Sequence, residues 1–183
     1  HDEKCWVMSI GFNGLFGFES DIFSRTSCSV HIFDCNGDWQ VPKNITTRTF
    51  LHKLCIGPKE LSDGDRNFLP YDELVSIATN KVNGAPMYLK MDFRGNEFQV
   101  LPAILAFPRT IQPIQIGFEL HLATHFNAGP SYAHRYTDNL WVIEDESEVG
   151  LLFYKLKGFG AYKVISREDA FCQTCAEFVV MKK

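Results

Sequence analysis

Asp92, Glu119 and His121 carry the side-chain types that move protons near neutral pH, and each sits at the end of an apolar run. Glu119 and His121 are two positions apart on an extended segment that begins Ile114-Gln115-Ile116-Gly117-Phe118, so both point to one side. A carboxylate next to an imidazole can hold the ring in orientation and leave it neutral as a general base. Asp92 closes the run Met87-Tyr88-Leu89-Lys90-Met91, where an acid either caps the following helix or reaches a ligand. His125 and His134 fall in the polar stretch from His121 to Arg135 and read as solvated loop histidines.

For these groups to meet, strand ends must come together. Between the two apolar runs, Phe98, Leu101 and Leu105 recur on one helical face, and Pro108 and Pro113 punctuate the return. Strand, helix and strand of this length form a βαβ unit, which implies a parallel sheet with right-handed crossovers. In open α/β sheets ligands bind beyond the carboxyl ends of the strands, where Asp92, Glu119 and His121 all fall.

A second constellation lies near the amino end. Cys5 to Ile10 reads as a first buried strand, followed by the turn Gly11-x-x-Gly14-x-x-Gly17 and a short helix from Phe18 to Arg25. Ser29 to Phe33 reads as a second strand that ends at Asp34. Glycines let a backbone approach a ligand closely, and an acid at the tip of the next strand can accept both hydroxyls of a ribose. The glycine spacing is not the G-x-G-x-x-G of nicotinamide enzymes, which disfavours that class.

Downstream, Ile45-Thr46-Thr47 is a β-branched run suited to a third strand, 57–70 reads as a loop, and Tyr71 to Ile77 as a helix. Asp145 with Glu148 makes a capping-box pattern ahead of Val149, Leu152, Phe153 and Leu156, and Gly158 suits the end of that helix. Tyr162–Ile165 and Glu177–Met181 pair as a closing antiparallel hairpin. Nothing repeats and no linker interrupts the chain, so residues 1–183 read as a single domain.

With 183 residues, 45% hydrophobic and 22% charged, the composition is that of a globular domain. A net charge of −4 with no basic stripe speaks against a nucleic-acid partner. No apolar stretch approaches a membrane span. Among the six cysteines, Cys5, Cys28, Cys35 and Cys55 stand alone in strand-like text, where a buried free thiol is the common case. Cys172 and Cys175 form the one CxxC, which reads as structural (hairpin packing or a short disulfide), with metal or redox chemistry as the alternative, since nothing completes a four-ligand zinc site. Asn44-Ile45-Thr46 is a glycosylation sequon. Together with an even cysteine count and a first residue other than methionine, it favours a secretory or extracellular setting over the cytoplasm.

Four stretches resemble one known family. Leu89-Lys90-Met91-Asp92-Phe93-Arg94-Gly95-Asn96-Glu97 is similar to the L-K-[IM]-D-x-E-G-x-E signature of FkbM-type S-adenosylmethionine-dependent methyltransferases. Gln115 to His121 resembles the strand Q-[IL]-x-x-E-x-H of the animal methyltransferase-like 24 branch, and Cys5–Gly11 and Cys172–Phe178 fit the same branch. Arg94 stands where the family has an acid, and Asn13 interrupts the usual glycine triplet. The resemblance implies a Rossmann-like class I methyltransferase: α/β, with a central, mostly parallel sheet, helices on both faces and a C-terminal antiparallel hairpin. It implies that Ser9, Gly11 and Asn13 hold the amino-acid end of S-adenosylmethionine, that Asp34 accepts the ribose hydroxyls, and that Ile56 and Gly57 border the adenine. His121 is then the expected base, oriented by Glu119, with Asp92 positioning acceptor or cofactor, no metal required, and a small hydroxylated or sugar-containing acceptor. A metal held by Asp92, Glu119 and His121 is the first rival, and an inactive nucleoside-binding module the second.

Overall fold

The computed structural model describes residues 5–57, 66–79, 84–92, 97–121, 147–169 and 175–183. Its strands are β1 (Trp6–Ile10), β2 (Ser29–Phe33), β3 (Thr49–His52), β4 (Cys55–Ile56), β5 (Phe68–Leu69), β6 (Tyr88–Met91), β7 (Gln115–His121), β8 (Tyr162–Asp169) and β9 (Cys175–Lys182). The helices are α1 (Gly17–Arg25), α2 (Tyr71–Thr79), α3 (Glu97–Leu105) and α4 (Ser147–Gly158). Seven strands form one sheet in the order β3-β2-β1-β6-β7-β9-β8, while β4 and β5 pair separately. The first five strands of that order run parallel; β9 is antiparallel to both neighbours. This is the mostly parallel sheet closed by an antiparallel hairpin that the alternating pattern predicts, and the Rossmann-like architecture that the resemblance implies.

Mostly apolar strands explain the two-sided burial. All five residues of β1 are buried, as expected for a parallel strand covered on both faces. On one face Met8, Ile10, Leu89, Met91, Ile116 and Phe118 pack with Leu74 and Val75 of α2, Leu101 and Ile104 of α3, and Leu152 and Leu156 of α4. On the other, Val7, Val30 and Ile32 meet Phe18 and Ile22 of α1. Gly117 lies where Tyr88 crosses β7: a Cβ there would fall 1.8 Å from the tyrosine hydroxyl, so only glycine fits.

Two local expectations are corrected. Residues 43–48, including the β-branched run, form turns, and β3 begins only at Thr49. Ile45 is there a lone apolar anchor, buried at 2% exposure, and burial of one side chain does not need a strand. Cys5 pairs with Cys28 and Cys35 with Cys55, so these cysteines are disulfides and not free thiols. Their Cα separations of 4.5 and 5.1 Å arise because β1, β2 and the β4 loop are neighbours in space, which spacing along the chain does not reveal. Gly158 ends α4, as its position predicts, and the left-handed residue beyond it is Ala161, with φ of 53°. Asp145 lies outside the described residues.

A histidine pair lies on β2 and β3. His31 Nδ1 and His52 Nε2 are 3.0 Å apart, one donating and the other accepting, with the rings stacked at 6° and flanked by Phe50 and Phe33. Burial, and secondarily the neighbouring His52, pushes His31 down from 6.5 to about 4; burial lowers His52 as well. In the unfolded chain His31 takes up its proton near pH 6.5, whereas in the fold it resists until about pH 4. The unfolded state therefore binds more protons across that window, so stability is full above it and lost as pH falls through it. The loss expected from His31 is at most ~3 kcal/mol. Thermal melts from pH 7 to 4 should show this decline, and His31→Phe should flatten it; an unchanged acid slope in the variant would refute the assignment.

Candidate functional site

The register aligns the predicted residues on one rim. Ile10 is level with Phe33 on β2 and with Met91 on β6, and Met91 is level with Phe118 on β7. The next residues on these four adjacent strands are Gly11, Asp34, Asp92 and Glu119. They therefore form a row in the order Asp34, Gly11, Asp92, Glu119 across the carboxyl edge of the sheet, spanning roughly 14 Å at the usual strand spacing. The row is centred on β1 and β6, between which the strand order reverses, and a reversal of this kind opens a crevice for ligands. β7 runs on past Glu119 to His121, beyond the end of β6, and there it is paired only with β9.

The glycine turn is built for close approach. Gly11 and Gly14 have φ of 76° and 88°, in the left-handed region that side chains avoid. A Cβ on Gly14 would also lie 2.7 Å from the Trp39 ring, which packs edge-on against Phe12. Asn13 accepts a hydrogen bond from the Leu15 amide at 3.0 Å, so its side chain shapes the turn where the third glycine is missing. The turn leads directly into the N-terminus of α1, whose first amides favour negative charge.

Two carboxylates are held beside this turn. Asp34 accepts from the Phe12 amide at 3.0 Å, the Asn36 amide at 2.8 Å and the Trp39 indole at 3.2 Å, and is 5% exposed. Three donors occupy three of about four lone-pair positions, which leaves Oδ2 able to accept one more. Glu19, on the first turn of α1, is fully buried: Oε1 accepts from the Ser9 hydroxyl at 2.9 Å, while Oε2 has no partner. The Ser9 side chain is thereby committed to Glu19. A buried carboxylate oxygen with no donor calls for a cationic or N–H partner.

The second disulfide ties the turn after β2 to β4. Cys35 follows Asp34 and Cys55 precedes Ile56, so the Cys35–Cys55 bond brings β4 and Gly57 to the turn after β2. Gly57 donates to the Leu69 carbonyl at 3.0 Å, which fixes that loop against β5. Opening this cross-link (Cys35→Ser with Cys55→Ser) should cost about 3 kcal/mol for a loop of this size and weaken nucleoside binding with it. Melting temperature and calorimetric affinity measure the two effects; a variant unchanged in both would show that the cross-link does not shape the pocket.

Sequence reasoning therefore brings Gly11, Asp34, Asp92 and Glu119 correctly to one edge, with His121 at its overhang. It missed Glu19 and Trp39. Glu19 has one sequence signal, a carboxylate on the buried side of a helix otherwise faced by Phe18 and Ile22; Trp39 has none. The side chain of His121, together with Arg94, His125, His134 and Cys172, lies outside the described residues. Cys175, in contrast, is disulfide-bonded and stands opposite His121 in the β7–β9 register. Cys175 thus opens the last strand of the closing hairpin, level with the end of β7.

The comparisons agree with this fold. A family model described as a methyltransferase domain matches residues 1–142. Human methyltransferase 10 domain containing protein is similar in structure at a TM-score of 0.55 and 8% identity, over 98% of this chain and 72% of that one. A 16S rRNA adenine N(1)-methyltransferase from Catenulisporales acidiphilia gives 0.53 at 11% identity, over 97% and 84%. The cyclase SpnF gives 0.52 at 9% identity, over 98% and 74%. None of the curated proteins matches the sequence. The chain belongs to this methyltransferase-domain family. It is an S-adenosylmethionine-dependent methyltransferase.

Proposed function

We propose that the enzyme transfers a methyl group to an oxygen of a small hydroxylated or sugar-containing acceptor, with His121 as general base. The observation that carries this reading is the row Asp34, Gly11, Asp92, Glu119, continued by β7 to His121. It offers a nucleoside side at one end and a proton-accepting side at the other. The donor supplies a methyl group on a sulfonium that is already a good leaving group, so the protein's work is alignment and removal of the acceptor proton. The residues fit such a donor. Asp34 keeps one acceptor position for a ribose hydroxyl, Ile56 and Gly57 wall the base, and the unpartnered Glu19 oxygen suits a cationic amino-acid end. Ser9 serves through Glu19, and Asn13 through the shape of the turn. Asp92 positions the acceptor or the donor's amine at the centre of the row, and Glu119 orients His121.

The motif pattern supports assignment to FkbM-type enzymes, and within them to the methyltransferase-like 24 branch. Net charge of −4 supports a small-molecule or glycan acceptor over nucleic acid. Two disulfides support an oxidising compartment, secretory or extracellular. Among the described residues no helix is long and apolar enough to cross a membrane.

One observation favours a second reading. The Asp34 carboxylate already holds three internal donors, as it would in a nucleoside-binding module that performs no transfer. Calorimetry with S-adenosylmethionine, S-adenosylhomocysteine and NAD, followed by transfer of labelled methyl to panels of hydroxylated acceptors, separates the readings. Binding of the first two ligands and labelled methyl ether products are expected. Binding without transfer to any acceptor would favour the module, and preference for NAD would overturn both.

A further inference from the structure

We propose that Asn44 carries an N-linked glycan on the face of the domain opposite the methyl-transfer rim. The sequon Asn44-Ile45-Thr46 lies in the turns of residues 43–48. Ile45 is 2% exposed and plugs the turn into the core, which leaves Asn44 and Thr46 on either side of it exposed to solvent. The turn is held independently of any sugar. Ile45 donates its amide to the Pro42 carbonyl at 3.0 Å, and the Thr46 hydroxyl donates to the Lys43 carbonyl at 3.1 Å. Arg48 clamps the end of the turn by donating to the carbonyls of Phe23, Thr26 and Cys28, with its guanidinium over the Phe23 ring.

Topology decides what a glycan there would do. The turn enters β3 at Thr49, which is level with Val30 at the start of β2. Parallel strands place all their amino ends on one side of the sheet, so Asn44 stands at the edge opposite Gly11, Asp34 and Asp92. A bulky group at Asn44 leaves the cofactor crevice open. The second observation is independent of the sequon: the disulfides Cys5–Cys28 and Cys35–Cys55 belong to the compartment in which N-glycosylation occurs. The inference rests on that compartment reading.

The attachment is a group transfer from a polyprenyl-diphosphate-linked oligosaccharide. A bond forms between Nδ2 of Asn44 and C1 of the first sugar, the bond from C1 to the diphosphate oxygen breaks, and polyprenyl diphosphate leaves. The amide nitrogen gives up one proton, and nothing is oxidised or reduced.

The test uses the full-length protein made in animal cells. Treatment with peptide N-glycosidase should lower its mass and convert Asn44 to aspartate, read by peptide mass spectrometry. Asn44→Gln and Thr46→Ala should lack the modification, and Thr46→Ser should retain it. S-adenosylmethionine affinity in Asn44→Gln should stay within about twofold of the native protein. Unmodified Asn44 in protein whose disulfides are intact would overturn the glycan and leave the compartment reading standing. Free thiols at Cys5, Cys28, Cys35 and Cys55 in the cell-derived protein would overturn both. A marked loss of affinity in Asn44→Gln would overturn the placement on the opposite face.

Discussion

Replacing His121 with alanine is expected to slow methyl transfer by roughly 10²–10⁴-fold, the usual contribution of a positioned general base. S-adenosylmethionine binding should be nearly unchanged, because His121 lies at the overhang of β7, past the row that faces the nucleoside. Glu119→Gln should lose less, since it disturbs the ring's orientation and leaves the base in place. In the native enzyme the rate should rise with pH through a histidine ionisation, and in His121→Ala that rise should vanish. Chelation distinguishes the rival in which Asp92, Glu119 and His121 hold a divalent ion: turnover lost to chelator and restored by Mg²⁺ or Mn²⁺ would establish it. Full activity in His121→Ala would remove the residue from both schemes. The neighbouring CxxC gives an internal control. Cys172→Ser with Cys175→Ser should lower the melting temperature yet keep the rate per folded molecule. Loss of turnover in a folded double variant would show that the β7–β9 pairing at His121 is needed to place the base.

Asp34→Ala is expected to weaken S-adenosylmethionine binding by roughly 10- to 150-fold and to destabilise the fold. The binding loss follows from removing a charge-assisted acceptor, worth about 1.5–3 kcal/mol per hydrogen bond. The stability loss follows from the donors that Asp34 now satisfies: two backbone amides and an indole N–H. Of these the bond to the Phe12 amide is fully buried, and leaving a buried donor unpaired costs roughly 1–3 kcal/mol, so a loss of that order is expected. Urea denaturation with and without ligand separates the two effects. Asp34→Asn should also fail, because its amide nitrogen would face an N–H donor that the carboxylate accepts. A stable Asp34→Ala protein with native affinity would place the ribose elsewhere and show that the three bonds contribute little.

Much of the fold is written locally in the chain. Ser29–Phe33 and Tyr88–Met91 are mostly apolar runs bounded by turn residues or acids, and they become β2 and β6 because runs too short for a buried helix pair their backbone with neighbouring strands. Phe98, Leu101 and Leu105 share a face because the helical period puts them there, and the packed α3 buries all three. Strand-end acids were legible for the same reason: a strand's last residue is defined by where the apolar pattern stops, and parallel strands bring those ends to one edge.

What stayed hidden depends on contacts between distant segments. Ile45-Thr46-Thr47 has strand-forming side chains, yet Arg48, clamped to carbonyls of α1 and the β2 entry, turns the chain there and delays β3 to Thr49. No local pattern inserts β9 between β7 and β8, the step that sets Cys175 opposite His121; it is the pairing that lets the last strand close the sheet. The cysteine partners, the Trp39 indole over Gly14 and the Glu19 carboxylate beneath Ser9 are likewise decided by which strands become neighbours. Residue type and spacing determined which groups are able to do chemistry and on which strand end each sits. Only the tertiary structure decided which of them meet, because register, burial and hydrogen-bond partners are properties of segments that are far apart along the chain.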